Sequence, residues 1–217
     1  SIADAGGSIT LTVGTATTSD WSGTLGNGLW TADGAGGNWN GGTAPNSLGA
    51  VANFGNLATA PTTVTLNGGK TVGNIIFNNA SSFTIGTNAD AITLDNGAAS
   101  GAIGVSSGDH SIAAPIVLNG AANIVPEAST SITFDGAISG TGKALFFSGA
   151  GASTLNAANS HTGGTTLSAG TLNLGNDSAL GSGLLTIAGG TLDAVGGART
   201  LSTNNDVLVT GNFAFTG

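Results

Sequence analysis

The residues best suited to chemistry in this sequence follow one another within one short segment. Residues 104–108 read Gly-Val-Ser-Ser-Gly, which fits the G-x-S-x-G pattern of serine hydrolases, and Asp109 and His110 come directly after it. In such enzymes the serine lies on a sharp turn between a strand and a helix. Because Asp109 and His110 are adjacent, they would point to opposite faces of a strand. We therefore expect no catalytic triad here, and we place His110 at a corner or on the surface.

The acidic residues do not form a recognisable catalytic pair either. The chain has one glutamate, Glu127, and scattered aspartates, whereas glycoside hydrolysis needs two carboxyl groups beside the scissile bond. Polysaccharide lyases combine clustered acids with basic residues, but the basic residues of this chain are far apart: Lys70, Lys143 and Arg199. The sequence therefore predicts that the protein is not an enzyme.

Two short segments resemble fragments of calcium-binding loops, namely residues 95–97 and 204–206. The same residue types are common in tight turns, because Asn, Asp and Gly tolerate left-handed backbone conformations. The complete nonapeptide calcium repeat does not occur in the sequence. We predict no resident metal and no cofactor, and a calcium ion at one of these corners is the alternative.

Composition limits the elements that could position these residues. The 217 residues include 39 glycines, only 3 lysines and arginines against 11 aspartates and glutamates, and no cysteine. Long amphipathic helices tolerate glycine poorly, and a net charge of −8 disfavours nucleic acid. No apolar run approaches the roughly 20 residues of a membrane helix. Short apolar bursts between turn-forming residues instead predict an all-β chain without a nucleic-acid partner or membrane insertion.

An internal repeat makes the fold prediction more specific. Residues 166–173 align with residues 186–193, and four of the eight positions are identical. Upstream, apolar residues recur about every 20 residues in two series: Val64, Ile85, Val105, Ile124 and Leu145, and then Ile75, Leu94, Ile116 and Phe134. A period of this length is typical of a solenoid, in which each coil stacks on the one before. We predict a parallel β-helix (β-solenoid) of roughly eight coils, with an ordinary β-sandwich as the alternative.

The chain divides into three predicted regions: residues 1–20 as an N-terminal strand and flexible lead, 21–58 as a cap, and 59–217 as the β-helix repeats. The three tryptophans, Trp21, Trp30 and Trp39, all lie in the cap region. Large apolar rings are suited to cover the first coil, whose interior is otherwise open. The alternative is a platform on which the ring faces stack against glycans.

Both ends of the sequence have features of strands that pair with another chain. Polar and apolar residues alternate from 8 to 13, which places Ile9, Leu11 and Val13 on one face of an assembly strand. The final residues form a predicted docking coil without a polar cover: Val207, Val209, Phe213 and Phe215. An open strand edge invites pairing, and a head-to-tail contact generates filaments. We predict a head-to-tail homopolymer, with a passenger fragment that lacks its next coil as the alternative.

Residues 148–151 and 159–172 resemble the autotransporter-associated β-strand repeat, whose pattern includes N-x-Y-T-G-G-T-T and G-T-L. Residues 175–183 are similar to its G-x-x-x-A-L-G-x-G turn, and His161 stands where the family usually has tyrosine. The resemblance covers about residues 21–200. It implies a right-handed parallel β-helix that is exported from a Gram-negative cell to the extracellular space or outer cell surface.

Taken together, these observations favour a non-catalytic extracellular structural protein, a β-helical rod that assembles head-to-tail into surface fibres. Its expected partner is a second copy of itself, and surface glycans are a further possible partner. The alternative is an adhesin or glycan-binding autotransporter passenger fragment. Aromatic residues make up only 5% of the chain, which favours the structural interpretation.

Overall fold

The computed structural model describes residues 17–31, 34, 37–86 and 89–217. Within these ranges the chain forms strands and turns without any helix, so no helix there could cross a membrane. The strands contain two to seven residues: β1 Thr18–Asp20, β2 Val51–Phe54, β3 Thr62–Val64, β4 Lys70–Val72, β5 Asn74–Asn78, β6 Phe83–Ile85, β7 Ile92–Leu94, β8 Gly101–Ser107, β9 Asp109–Ile112, β10 Ile116–Leu118, β11 Ala122–Pro126, β12 Ser131–Phe134, β13 Ile138–Ser139, β14 Leu145–Phe147, β15 Ala152–Leu155, β16 Thr165–Leu167, β17 Thr171–Leu174, β18 Leu185–Ile187, β19 Thr191–Ala194, β20 Val207–Val209 and β21 Ala214–Phe215.

The strands form three sheets in which all neighbours are parallel. The first sheet has the order β1-β2-β5-β8-β11-β14-β16-β18-β20, and the second has the order β3-β6-β9-β12-β15-β17-β19-β21. The third, β4-β7-β10-β13, accompanies only part of the chain. This arrangement is a β-solenoid of about 7 turns, which confirms the predicted fold with a slightly smaller coil number.

Alternation of residue types along each strand explains why the coils stack. In β17, Leu172 and Leu174 are buried, whereas Thr171 and Asn173 point outward. Leu172 pairs with Leu192 of the next coil, so apolar side chains stack inside while β-branched and polar ones cover the outer face. The predicted alignment of residues 166–173 with residues 186–193 is confirmed by the register of both sheets.

The two apolar series predicted upstream are strands, but their grouping is wrong. Val64 belongs to the second sheet, whereas Val105 belongs to the first. The second series likewise begins in the first sheet at Ile75 and passes through the third sheet before it reaches the second. The reason is that coil length varies: Ile75 pairs with Ile103, whereas Leu167 pairs with Ile187. Counting a constant 20 residues along the sequence therefore leads from a strand of one sheet to a strand of another.

The corners between sheets approach one another so closely that some positions exclude any side chain. A Cβ atom on Gly136 would lie 2.0 Å from the carbonyl oxygen of Ala114 in the coil before it. Such a position is a steric requirement of stacking rather than a source of flexibility. Some of the many glycines in the sequence are therefore required by the close contact between coils.

At the N-terminal end, the first strand begins inside the region predicted as a flexible lead. Thr18–Asp20 form β1 and pair with Val51–Asn53 of β2, so these residues belong to the first sheet. The predicted assembly strand with Ile9, Leu11 and Val13 lies outside the described residues.

Candidate functional site

The N-terminal end of the solenoid is contacted on all three sheets by residues 18–30 and by Asn46. On the first sheet, β1 lies along the edge of β2. On the second, Leu29 forms a parallel bridge with Thr65, whose carbonyl oxygen accepts a 2.9 Å hydrogen bond from the backbone N–H of Trp30. On the third, the Asn46 side chain accepts a 2.8 Å hydrogen bond from the N–H of Thr71 in β4. The edge strands at this end therefore have partners.

The three tryptophans form one buried cluster inside this cover. Their relative exposures are 1%, 0% and 1% for Trp21, Trp30 and Trp39. The ring centroids of Trp21 and Trp39 are 5.1 Å apart, and those of Trp30 and Trp39 are 4.9 Å apart. All three rings also contact Phe54 of β2, at centroid distances of 5.9, 5.7 and 5.4 Å.

This burial decides between the two interpretations of the tryptophans. Stacking on a glycan requires an exposed ring face, and none of the three rings offers one, so the stacking platform is wrong. The packing instead supports a cap that covers the interior of the first coil. Burial of three large aromatic side chains is a large stabilising contribution at an end that would otherwise be open.

The indole N–H groups of the cluster differ in their partners. Nε1 of Trp30 donates to the carbonyl oxygen of Pro45 at 3.0 Å, and Nε1 of Trp39 donates to the carbonyl oxygen of Trp30. Nε1 of Trp21 is buried and has no hydrogen-bond partner among the described residues. A buried donor without an acceptor is costly, so this atom is unusual.

The aromatic cluster continues along the axis to a histidine in the interior. Phe54 stacks on Phe77 at 5.3 Å, and the His110 ring stacks on Phe77 at 4.4 Å with an interplanar angle of 14°. The prediction of His110 at a corner or on the surface is wrong, since it is 4% exposed and lies in β9. The sequence does not indicate that His110 is buried, because inward positions of the other strands are mostly apolar and a histidine does not fit that pattern.

Both ring nitrogens of His110 serve the backbone. Nδ1 accepts a 3.0 Å hydrogen bond from the N–H of Phe83, and Nε2 donates to the carbonyl oxygen of Ser107 at 2.8 Å. These partners require the neutral ring with its proton on Nε2. Burial accordingly lowers the pKa of His110 below its ordinary value. The ring joins neighbouring coils and leaves no nitrogen to act as a base.

The other two residues of the hydrolase-like segment, Ser106 and Asp109, form hydrogen bonds with other partners and not with the His110 ring. Ser106 lies in the strand β8, rather than on a strand-to-helix turn, and its Oγ donates to the carbonyl oxygen of Phe77 at 3.3 Å. Asp109 points outward and accepts a 2.7 Å hydrogen bond from Ser131. The prediction that Asp109 and His110 face opposite sides is confirmed. The geometry of a nucleophile elbow is not built by these residues.

The first of the calcium-like segments forms a turn. In residues 95–97, one carboxylate oxygen of Asp95 accepts the N–H of Gly97 at 3.0 Å, and the other accepts the Asn119 amide at 3.0 Å. The hydrogen bonds from Asn119 and Gly97 lower the pKa of Asp95. In residues 204–206, Asn205 donates to the carbonyl oxygens of Gly181 and Gly183. Among the described residues, no three His, Asp or Glu side chains group as metal ligands.

Beyond the end of the third sheet, buried polar side chains rather than strand pairs join the backbones of neighbouring coils. Asn159 accepts a 2.7 Å hydrogen bond from the N–H of Ile138 and donates to the carbonyl oxygen of Ala179 at 2.6 Å. His161 is fully buried with Nε2 3.0 Å from Oγ1 of Thr165, and burial lowers its pKa. Both residues lie in the segment that resembles the repeat, and the presence of His161 where that pattern has tyrosine is the signal that the sequence offers.

The C-terminal end lacks such a cover among the described residues. The outermost strands there, β20 and β21, each have a partner on one side only. Inward positions that are buried in earlier coils are open here: Val207 is 55% exposed, Val209 51% and Phe215 62%, and Phe213 is 40% exposed. The structure therefore brings the four predicted docking residues together at one end.

Exposed apolar side chains are concentrated in two regions of the sequence. Eight of the 11 large apolar residues that the described ranges expose lie in the cap region or the last coil. Three are in the cap region and five in the last coil: Leu25, Leu48 and Leu57, and Val207, Leu208, Val209, Phe213 and Phe215. The long sides of the solenoid between them expose three: Ile76, Val117 and Leu184.

Comparisons with protein-family models, curated proteins and solved structures found no significant match to this chain. The similarity to the autotransporter-associated repeat thus stays a prediction that is based on the residues quoted for it. The functional argument depends on the geometry of the two ends.

Proposed function

We propose that this chain is a non-catalytic structural subunit whose solenoids stack head-to-tail into a fibre. The cap region of one copy packs on the last coil of the next. The observation that carries the proposal is the exposure of apolar side chains in the last coil, where Val207, Val209 and Phe215 occupy positions that are buried in earlier coils. Apolar surfaces of this kind mark sites of association.

The geometry of the sheets supports a second copy as the occupant of the open end. The first sheet begins with β1 and ends with β20, and both are three-residue edge strands that run in parallel with their neighbours. Stacking of a second copy would place β1 beyond β20 and continue the sheet in the same direction. The pairing would start at Thr18, because the outward carbonyl oxygen of Asp20 already accepts the N–H of Asn40 at 2.8 Å. The predicted strand with Ile9, Leu11 and Val13 would add a further pairing segment. Such a contact is heterologous, and its repetition produces a filament.

The sides of the solenoid support a structural role. Outward positions of the second sheet form a column of small polar residues: Thr63, Thr84, Ser111, Thr133, Thr154, Asn173 and Asp193. Both histidines are buried and engaged in hydrogen bonds. With the resemblance to autotransporter-associated repeats, these features favour a fibre on the outer cell surface or in the extracellular space.

Electron microscopy of the untagged protein tests the proposal. We expect filaments with an axial repeat of roughly 43 Å, because each copy adds the nine strands of the first sheet at a spacing of about 4.8 Å. Val209→Asp places a charge in the open coil, and Val117→Asp places the same charge on the third sheet, where Val117 is 36% exposed. The first variant should abolish filaments and the second should retain them.

Two outcomes would contradict parts of this proposal. Monodisperse short rods of the unaltered protein at high concentration would refute head-to-tail assembly and favour the adhesin or passenger alternative. Deletion of residues 1–14 tests the strand separately, because unchanged long fibres after deletion would refute docking through Ile9, Leu11 and Val13 only.

A further inference from the structure

A cleft of about 470 Å³ lies between two loops next to the tryptophan cluster. Residues 22–28 form one wall and residues 57–63 form the other. The lining combines five residues that carry a hydroxyl or amide group with three glycines and five apolar residues: Trp21, Ser22, Gly23, Gly26, Asn27, Gly28, Leu57, Ala58, Thr59, Ala60, Pro61, Thr62 and Thr63. None of these side chains is charged. The volume lies within the range of small-molecule sites.

Trp21, which lines one wall of this cleft, carries the indole N–H that lacks an acceptor. Trp21 is 1% exposed and lines the cleft, and its Nε1 has no hydrogen-bond partner within the described part of the chain. The atom lies beneath Gly23, since a Cβ atom on Gly23 would be 3.1 Å from it. The indole N–H groups of Trp30 and Trp39, by contrast, both donate to carbonyl oxygens. Buried polar atoms without a partner are rare, and the described residues contain a second one, Nδ1 of His161. Of the two residues, Trp21 is the one that lines this cleft.

We propose that this cleft binds a neutral monosaccharide or disaccharide, and that Trp21 Nε1 donates a hydrogen bond to a sugar oxygen. An uncharged lining disfavours ionic ligands, which need a compensating charge, and its polar character disfavours lipids. A neutral sugar matches both properties, because it offers many oxygen acceptors without charge. Thr59 and Thr63 are exposed and supply hydroxyl groups on the opposite wall.

The turn over Trp21 provides the route to the buried donor. Nε1 is shielded from solvent, so a sugar oxygen reaches it when the turn at Gly23 moves aside. The N–H of Gly26 donates to the carbonyl oxygen of Gly23 at 2.9 Å, and Gly23, Gly26 and Gly28 all have positive φ. The turn is held on Asn38, whose carbonyl oxygen accepts from the N–H groups of Ser22 and Gly23 and whose Oδ1 accepts from the N–H of Leu25. Sugar binding must therefore offset the loss of part of this hydrogen bonding. The recognition therefore uses the edge of the indole, whereas the rejected platform would use its face.

Two-dimensional ¹H–¹⁵N NMR of the indole region tests this proposal, since the three tryptophans give three separate Nε1–H signals. The probes are glucose, N-acetylglucosamine and cellobiose, each titrated to high millimolar concentration, with galacturonate as a charged counterpart. We expect the Trp21 signal to move with at least one neutral sugar, while those of Trp30 and Trp39 stay in place. Galacturonate should bind at least tenfold more weakly than that sugar.

Two variants locate the site. Trp21→Phe removes the donor but keeps an aromatic ring, and we expect about a tenfold loss of affinity. Because this variant has no Trp21 indole signal, its affinity is measured from the backbone amide signals of the cleft. Thr63→Val alters the opposite wall, and Thr133→Val makes the same change in the same outward column but outside the cleft. Only the first threonine variant should weaken binding. The proposal is overturned if no neutral sugar moves the Trp21 signal, or if both threonine variants bind equally.

Discussion

Replacement of Phe54 by alanine should remove a large part of the stability of the capped end. Phe54 is fully buried, and its ring contacts five others at centroid distances of 5.0–5.9 Å: Trp21, Trp30, Trp39, Phe77 and Phe83. Truncation of a buried phenylalanine costs about 3–5 kcal/mol, and aromatic pairs contribute beyond their buried area. We therefore expect Phe54→Ala to lower the free energy of unfolding by about 4–5 kcal/mol.

The matched control is Phe146→Ala, because Phe146 occupies an outward position in β14 and is only partly buried. The same chemical change there leaves no cavity, and we expect a loss of at most about 1 kcal/mol. Unfolding in guanidinium chloride can be followed with two probes. Tryptophan fluorescence reports on the cluster, since all three tryptophans contact Phe54, and far-ultraviolet circular dichroism reports on the strands of the whole solenoid.

The two probes also test the position of the loss. Because each coil contacts only its neighbours, damage at the cap should be local. In Phe54→Ala, the fluorescence transition should therefore occur at lower denaturant than the circular dichroism transition. A loss below about 1.5 kcal/mol, or an equal loss in Phe146→Ala, would refute the conclusion that the aromatic cluster holds the cap on the first coil.

Two further predictions concern the buried histidines and a corner glycine. Burial lowers the pKa of His110 and His161 in the folded state, so stability should be constant above about pH 7 and decrease as the pH falls through the unfolded-state value of 6.5. A urea midpoint that stays flat or rises from pH 8 to 5 would contradict this. Gly136→Ala should lower the free energy of unfolding by about 1–3 kcal/mol because of the clash with Ala114, as measured by thermal unfolding. Gly104→Ala is the control, since a Cβ atom there would meet no atom of the described residues within 4 Å, and we expect no change. Equal losses in the two variants would argue against steric exclusion at the corner.

The sequence was sufficient to predict the fold because the solenoid uses local patterns that repeat. The offset between Leu172 and Leu192 is visible in the sequence and is the actual register of the second sheet. Upstream, coils of unequal length hide the register, and only the hydrogen bonds show that Ile75 pairs with Ile103. Periodicity identifies strands, but it assigns them to sheets only where the coil length is constant.

The site was less predictable, because it depends on burial and on single hydrogen bonds. Composition could not show that the faces of Trp21, Trp30 and Trp39 are all covered, since that follows from their contacts with Phe54 and with one another. The missing partner of Trp21 Nε1 is a property of three-dimensional geometry alone. The predicted position of His110 is wrong because histidine is polar by residue type, whereas here both ring nitrogens bond backbone groups inside the core.

The equal offset between the last coils means that the length of this molecule can change in whole steps. Thr165 pairs with Leu185 and Thr171 with Thr191, so the first and second sheets repeat after the same number of residues. A tandem duplication of residues 165–184 would insert one more rung, about 4.8 Å high, whose strands meet the same neighbours as before. Recombination within the gene can therefore lengthen or shorten the rod, one rung at a time, while both terminal surfaces stay constant.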